Sequence, residues 1–343
     1  MTRNYPGILF FLTLCVAVEN SACTKNDATA PALTPSLQTL RSTIQDNYSF
    51  SLFYYALKKT GLDQLLTSTT PHTLLVCDND AFGRDSIHNT GDLDKLDTAY
   101  LRLWMSYHIL PGKITSASVP QAVNNAYTSI SGQILYFSRP LPTLTNSNAT
   151  LNGVMHINGD TVSTLDLTAS DGVIQVLNRP LTLPVSSVQA YLSSHSQYSE
   201  LVTGLQHFGL WDQLSGPGPF TIWAPDNDAF TAASISPDSV SKLDTVRFAN
   251  SLFKIYVLKP ARVFLTDFID IDGGWTSAVF FAQDNGPYVL ESSNSTSSAG
   301  YFIDSYGPTK GYPAPWTTTD ILAVNGTIQG IGGLLLRPDQ TRK

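Results

Sequence analysis

Two stretches of this chain, Thr73-Leu-Leu-Val-Cys-Asp-Asn-Asp-Ala-Phe82 and Thr221-Ile-Trp-Ala-Pro-Asp-Asn-Asp-Ala-Phe230, share the core Asp-Asn-Asp-Ala-Phe. Their asparagines, Asn79 and Asn227, stand 148 positions apart (227 − 79). Neighbouring residues keep close to that register. Leu57 answers Leu205, Gly61-Leu62 answers Gly209-Leu210, Leu96-Asp97-Thr98 answers Leu243-Asp244-Thr245, and Leu110 answers Leu258. Solenoid repeats have periods of roughly 20–50 residues, so a spacing this long means duplicated domains. Whatever fold the chain adopts, it adopts it twice.

The 343 residues suffice for about two ordinary domains, each with a substantial core. Only 14% of them are charged, well below the roughly 25% of typical soluble proteins. The polar surface must come from Ser, Thr, Asn, Gln and Asp, which favours turns and strands over long charged helices. The net charge of −7, without a Lys/Arg cluster, argues against nucleic acid, whose binders need basic patches.

Residues 1–22 read as an export signal. Arg3 gives a positive start, and Ile8–Val18 is an apolar run of signal-peptide length, too short to span a bilayer. The run leads to Asn20-Ser21-Ala22-Cys23, small residues directly before a cysteine. This resembles the lipobox of bacterial lipoproteins, in which the cysteine is lipidated after cleavage; Asn20 departs from it, since Leu is usual there. An ordinary secretory cut near Ala22 is the alternative. Lipidation of Cys23 also accounts for the Thr/Pro/Ala-rich stretch that follows, so residues 23–35 read as a tether. With Cys15 removed and Cys23 lipidated, Cys77 stands alone, and its apolar run Leu74-Leu75-Val76-Cys77 marks a buried strand thiol.

The two copies run from 36 to 184 and from 188 to 338. Leu40, Ile44, Phe53, Leu57 and Leu65-Leu66 recur at helical spacing, and Gly61 and Gly209 stand where a helix would stop. Strands at Thr73–Val76 and Thr221–Ala224 follow, with Asp78-Asn79-Asp80 and Asp226-Asn227-Asp228 placed to cap short helices. Further helical stretches span Leu93–Ser106 and Val240–Lys254, and both copies then turn strand-like. The closing segments start at Asp166 and Asp320, an offset of 154 (320 − 166), so the second copy carries about six extra residues. Their expected home is Glu291–Trp316, which reads as long exposed loops.

Catalytic patterns are missing. No histidine pair has metal-ligand spacing on one helical face, and Cys-x-x-Cys, the nucleophile elbow and phosphate-cradling glycine loops are absent. Lys59-Thr60-Gly61, Ser239-Val-Ser-Lys242 and Ser251-Leu-Phe-Lys254 match fragments of serine penicillin-binding enzymes, but in the wrong order and in different copies. The Asp-Asn-Asp triplets fail as calcium loops because Phe82 and Phe230 occupy a ligand position. Asp267, Asp270 and Asp272 form an acidic cluster that reads as a solvated loop, with weak cation binding as the alternative. His108 suits a structural role, since one imidazole can bond two backbone groups and the second copy has Tyr256 there. Tyr301, Tyr306, Tyr312 and Trp316 remain as candidate binding aromatics, balanced against a role in covering the core.

Four motifs of the first copy carry a family resemblance: the strand leading into Asn-Asp-Ala-Phe, Tyr107-His108 before Leu-Pro-Gly, Ile157-Asn158-Gly159, and Asp166-Leu-Thr-Ala-Ser-Asp-Gly-Val-Ile-Gln-Val. Together they resemble the fasciclin-like domain family. The second copy keeps the first motif, has Ile255-Tyr256 in place of the Tyr-His pair, and shows Asn-Gly only at Asn325-Gly326. The resemblance implies an α+β fold of two tandem fasciclin-like domains, each a β-sandwich or wedge with several packed helices. It implies a tandem bacterial lipoprotein of the Bacteroidetes type, non-enzymatic and without cofactor or metal. In the family, segments around the Tyr-His pair are linked to adhesion, which makes Tyr107 and His108 candidate binding residues. The expected partner is a surface protein or polysaccharide, with the membrane reached through the lipid anchor. The alternative is a glycan-binding accessory lipoprotein of an outer-membrane uptake system; a hydrolase with an unrecognised site is a third reading.

Overall fold

The structure is a computed structural model and describes residues 36–67, 70–139, 154–267, 278–281, 289–294, 301–306 and 314–343. Each copy opens on short amphipathic helices. In the first, α1 (Leu40–Gln45) is capped by the Thr39 side chain, and α2 (Ser51–Thr60) buries Leu52, Phe53, Ala56 and Leu57 on one face. α2 ends at Gly61, whose φ of 70° lies in the left-handed region that glycine enters without strain. In the second, α6 (Val188–Ser194) precedes α7 (Ser199–His207), which buries Leu201, Gly204 and Leu205. Gly209 again follows, with φ 69°.

The expected strands appear as β1 (His72–Cys77) and β8 (Phe220–Pro225), every residue buried. Cys77 is a buried free thiol, and burial pushes its pKa well above the ordinary range, which makes it inert. Each strand runs into a short helix, α3 (Asn79–Arg84) or α8 (Asn227–Ala232).

The next helical stretch differs from the sequence expectation in both copies. In the first it divides into α4 (Thr90–Asp94) and α5 (Thr98–Tyr107), because the Asp97 side chain accepts from Tyr100 N and starts a new helix. In the second only α9 (Pro237–Ser241) and α10 (Ser251–Lys254) are helical. Between them Phe248 bridges Arg342, and Ala249 N donates to Thr341 O at 2.8 Å. The backbone there bonds to the C-terminal segment instead of to itself.

The remaining strands are β2 (Ile109–Pro111), β3 (Asn125–Thr128), β4 (Ile134–Ser138), β5 (His156–Ile157), β6 (Asp160–Ala169) and β7 (Gly172–Leu177). Their second-copy counterparts are β9 (Val257–Leu258), β10 (Ala278–Phe281), β11 (Val289–Asn294), β12 (Tyr301–Tyr306), β13 (Ala314–Ala323) and β14 (Gly326–Ile331). The first sheet is ordered β2-β1-β7-β6-β5-β4-β3 and the second β9-β8-β14-β13-β12-β11-β10, strand for strand the same topology. Among the strands of the described residues β1–β7 and β8–β14 pair in parallel, and the others antiparallel. The fold is therefore α+β, repeated.

One expectation is overturned. Glu291–Trp316 is not a set of long loops, since β11, β12 and the start of β13 run through it, antiparallel from Val289↔Tyr306 to Phe302↔Pro315. Hydrogen bonding across the sheet outweighs the turn-forming composition. Two hydrophobic cores result, one per copy. Among the described residues no helix is long and apolar enough to cross a membrane.

Candidate functional site

Tyr107 and His108 lie where α5 meets β2, and the structure corrects their candidacy as binding residues: they are 0% and 1% exposed. Nothing outside the protein can touch them. His108 Nδ1 lies 2.9 Å from Trp104 O, which can only accept, while Leu181 N donates to Nε2 at 3.0 Å. These partners fix a neutral imidazole protonated on Nδ1. Burial lowers the His108 pKa to about 4, partly offset by the Trp104 bond. In the second copy Leu335 N donates to the Tyr256 hydroxyl at 3.1 Å. Leu181 and Leu335 are equivalent at the closing offset of 154 (335 − 181). Two unlike side chains thus serve one backbone amide.

The other shared motifs are also structural. Tyr107 donates its hydroxyl to Ile134 O and accepts from Asn158 Nδ2 at 2.8 Å, which ties the Tyr-His pair to the Asn158-Gly159 turn. Asp78 Oδ1 accepts from Ala81 N at 2.7 Å, and Asp226 Oδ1 from Ala229 N at 2.9 Å, as capping predicts. The intervening asparagines do something the sequence reading missed. Asn79 accepts from Leu52 N and donates to Tyr48 O, and Asn227 accepts from Glu200 N and donates to Ser196 O. Each staples the start of a helix some thirty residues upstream. The signal was available in the identical Asn at both positions, but its long-range partner was not.

A third repeated device lies on β6 and β13. Asp166 and Asp320 sit at register shifts with φ of 57° and 59°. Gln175 and Gln329, fully buried, each accept from the aspartate N–H and donate to its Oδ1. Their environments then diverge. Burial raises the Asp166 carboxyl, but bonds from Ser116 and Gln175 outweigh it and hold the pKa below the ordinary range. Burial pushes Asp320 up to about 6, against the bonds from Gln329 and Leu265.

Asp320 is half-buried and faces the seam between the copies. An added Cβ on Gly159 would lie 2.9 Å from Asp320 Oδ2. Asp160 has a pKa raised to about 6 by burial, eased by Arg179 and strengthened by the Asp320 charge across the seam. Asp267, expected in a solvated loop, is 1% exposed and accepts from Ser138 Oγ at 2.7 Å and Asn124 Nδ2 at 3.1 Å; Asp270 and Asp272 lie outside the described residues. The Arg262 guanidinium stands 4.2 Å over the Tyr136 ring and donates to Ala323 O and Gly326 O. Val185 of the linker bonds Leu322 O and Val324 N. Buried hydrogen-bonded polar groups are costly to expose, so the seam holds the two copies together.

Of the aromatic candidates, Trp316 is half-buried, packed edge to face on Trp223 with ring centroids 5.6 Å apart. Tyr301 and Tyr306 are the end residues of β12; their side chains, like Tyr312 and Cys23, lie outside the described residues. Open grooves appear among the described residues. A polar one of about 560 Å³ runs beside Asp226 and Asp228, lined also by Ser196, Gln197, Ser199 and Thr318. An apolar one of about 200 Å³ lies in the first copy against Tyr100 and Trp104. Among the described residues no group of three or more His, Cys, Asp or Glu is placed to hold a metal.

Two copies of one α+β module, joined through a buried polar seam, define a tandem domain-pair protein. The fasciclin domain profile matches residues 48–184 and 196–337, and the chain belongs to the fasciclin domain family. Protein sll1483 of Synechocystis sp. is 28% identical over 185 residues, 52% of this chain and 92% of that protein. Transforming growth factor-beta-induced protein ig-h3 of Sus scrofa is 26% identical over 168 residues, 49% of this chain and 22% of that protein. Stabilin-2 of Mus musculus is 23% identical over 197 residues, but the match spans only 7% of it. The chain thus spans a small part of these animal relatives. A fasciclin domain pair from the insect cell adhesion molecule fasciclin I is 16% identical, with a TM-score of 0.42, over 86% of this chain and 99% of that one.

Proposed function

We propose that the chain is a non-enzymatic surface protein that binds another macromolecule, protein or polysaccharide, while held at the outer membrane or cell surface by lipid on Cys23. The observation that carries this reading is the seam. Asp267, Ser138, Asn124, Arg262 and Tyr136 interlock the two fasciclin domains, so the pair presents one fixed surface rather than two swinging ones. A preorganised surface loses less entropy on binding. Membership of the fasciclin family supports a binding role by analogy. The test plates cells displaying the full chain on immobilised glycans and on surface-protein extracts, with mass spectrometry of the mature N-terminus. Retention on one surface and a diacylated Cys23 are expected; turnover of any glycan or ester, or retention on neither, overturns the reading.

The glycan-accessory alternative has its own support. The groove beside Asp226 is lined by hydroxyls, two amides and two carboxylates, groups that hydrogen-bond sugar hydroxyls. Retention on glycans but not on proteins, lost on Asp228→Ala, would favour it.

A further inference from the structure

The apolar groove of the first copy has a counterpart in the second that the chain itself has filled. Ile87, Leu96, Trp104, Pro180 and Thr182 line the first, and Ile235, Leu243, Leu252, Leu334 and Leu336 stand at the equivalent places of the second. The first encloses about 200 Å³ and the second about 10 Å³. Two differences account for this. Leu336 is fully buried where Thr182 is exposed. Beyond it Pro338 lines the filled groove, and the C-terminal segment folds back, with Thr341 O accepting from Ala249 N and Lys343 N donating to Arg247 O. The first copy cannot do the same. Its chain after Thr182 becomes the linker, and Val185 is bonded into the second domain at Leu322 and Val324.

What stays open is an aromatic wall. Tyr100 is 47% exposed and stacks on Trp104, 6.3 Å between centroids at 26°. Trp104 is fixed by its indole N–H, which donates to Leu181 O at 2.6 Å. The α5 backbone here is helical, so an occupant binds through side chains and not by the backbone bridge seen at Phe248. Flat rings, with Trp104 pinned, suit the preformed pyrrolidine of an extended proline segment. The charged residue of the lining is Asp85, which also feels the Arg179 charge of its own domain; the second copy has Ala233 there and carries Arg337 immediately before its own Pro338.

We propose that the groove at Tyr100 and Trp104 binds an extended segment of a partner protein in which a basic residue precedes proline, as Leu336-Arg337-Pro338 does for the second copy. The inference rests on the binding reading above and goes beyond it in placing a peptide site on the first domain. The full chain, with ¹⁵N-labelled tryptophan indoles, is titrated with the acetylated peptide Leu-Arg-Pro-Asp-Gln-Thr and with its Pro→Ala twin. The expected result is a saturable shift of the Trp104 resonance, at least tenfold weaker for the twin. Tyr100→Ala and Asp85→Asn, both at partly exposed side chains, weaken it at least tenfold with Tm unchanged; if Tyr100→Ala does not fold, Asp85→Asn and the twin decide. No saturable shift, or equal affinity for the twin, overturns the proposal. So does a Trp104 shift that follows protein concentration alone, which assigns the groove to a second copy. Cell retention on glycans or proteins is a separate readout, so failure here leaves the broader reading standing.

Discussion

The two domains have the same strand order but solve several local problems with different residues. Asp78 and Asp226 cap, Asn79 and Asn227 staple, and the pairs Asp166–Gln175 and Asp320–Gln329 lock a bulge, all without change. Elsewhere the chemistry is exchanged. His108 becomes Tyr256, Gly204 packed against Phe253 takes the places of Ala56 and Met105, and an open groove becomes a filled one. What is kept is the bond to the backbone. A side chain is free to change when its replacement reaches the same peptide group or fills the same volume.

The largest expected effect removes such a bond. His108→Ala leaves Leu181 N–H and Trp104 C=O without their His108 partner in the core and costs about 2–6 kcal/mol, at about 1–3 for each unpaired group. Tyr256→Phe removes a hydroxyl that accepts from Leu335 N and also bonds the Leu336 backbone, and costs about 1–3 kcal/mol. Urea unfolding gives both numbers. If His108→Ala unfolds like the parent yet loses cell retention, the imidazole is a binding group and the equivalence with Tyr256 fails.

The volume exchange comes next. An added Cβ on Gly204 would sit 1.9 Å from Phe253 Cε1, inside a ring that also packs on Phe230 and Phe208. Gly204→Ala alone is overpacked and costs about 1–3 kcal/mol. Combined with Phe253→Met it reproduces the Ala56–Met105 pair of the first copy, and most of the loss returns. A double-mutant cycle with coupling below about 0.5 kcal/mol would show the two positions to be independent.

These pairs also show what the sequence could and could not reveal. The duplication, the caps at Asp78 and Asp226 and the stops at Gly61 and Gly209 were legible because each depends on residues close in the chain. The strands through Glu291–Trp316 were not, since Ser, Gly and Tyr there carry no clean alternation and the pairing partners supply the order. The split of Leu93–Ser106 was hidden because Asp97 caps a helix inside an unbroken apolar period. The seam was invisible in principle: Asp267 reads as a surface acid until Ser138 and Asn124 are brought to it from the other domain.

The seam and the His108 site respond to pH in opposite directions. His108 has its folded pKa lowered to about 4, so its contribution is present above the unfolded value and is lost as pH falls from about 6.5 toward 4. Asp320, raised to about 6, contributes stability that is full below the unfolded value of about 3.8 and lost as pH rises through 6. Asp320→Asn removes that second titration while keeping the acceptor for Leu265 and Gln329. Its stability exceeds the parent's at pH 7 by on the order of 2 kcal/mol, and the gap closes toward pH 4. Urea titrations between pH 4 and 8 check this, and parallel curves for parent and variant would refute it.

The smallest effect is the strictest test of sameness. Asp78→Ala and Asp226→Ala each remove one carboxylate from a helix start where it accepts an amide at 2.7 or 2.9 Å. Loss of such a cap costs about 0.5–2 kcal/mol, and Asn in its place recovers most of it, because its side-chain oxygen accepts equally well. The geometry is the same in both copies, so the two alanine variants should agree within about 0.5 kcal/mol, a difference that denaturant melts of paired variants resolve. The second site differs in one respect: Asp226 also lines the polar groove with Ser196 and Thr318. A protein saturated with a glycan that occupies this groove would therefore lose more from Asp226→Ala than from Asp78→Ala, while the free protein would not. Equal losses in both conditions would leave the groove without a ligand and the two caps as purely structural twins.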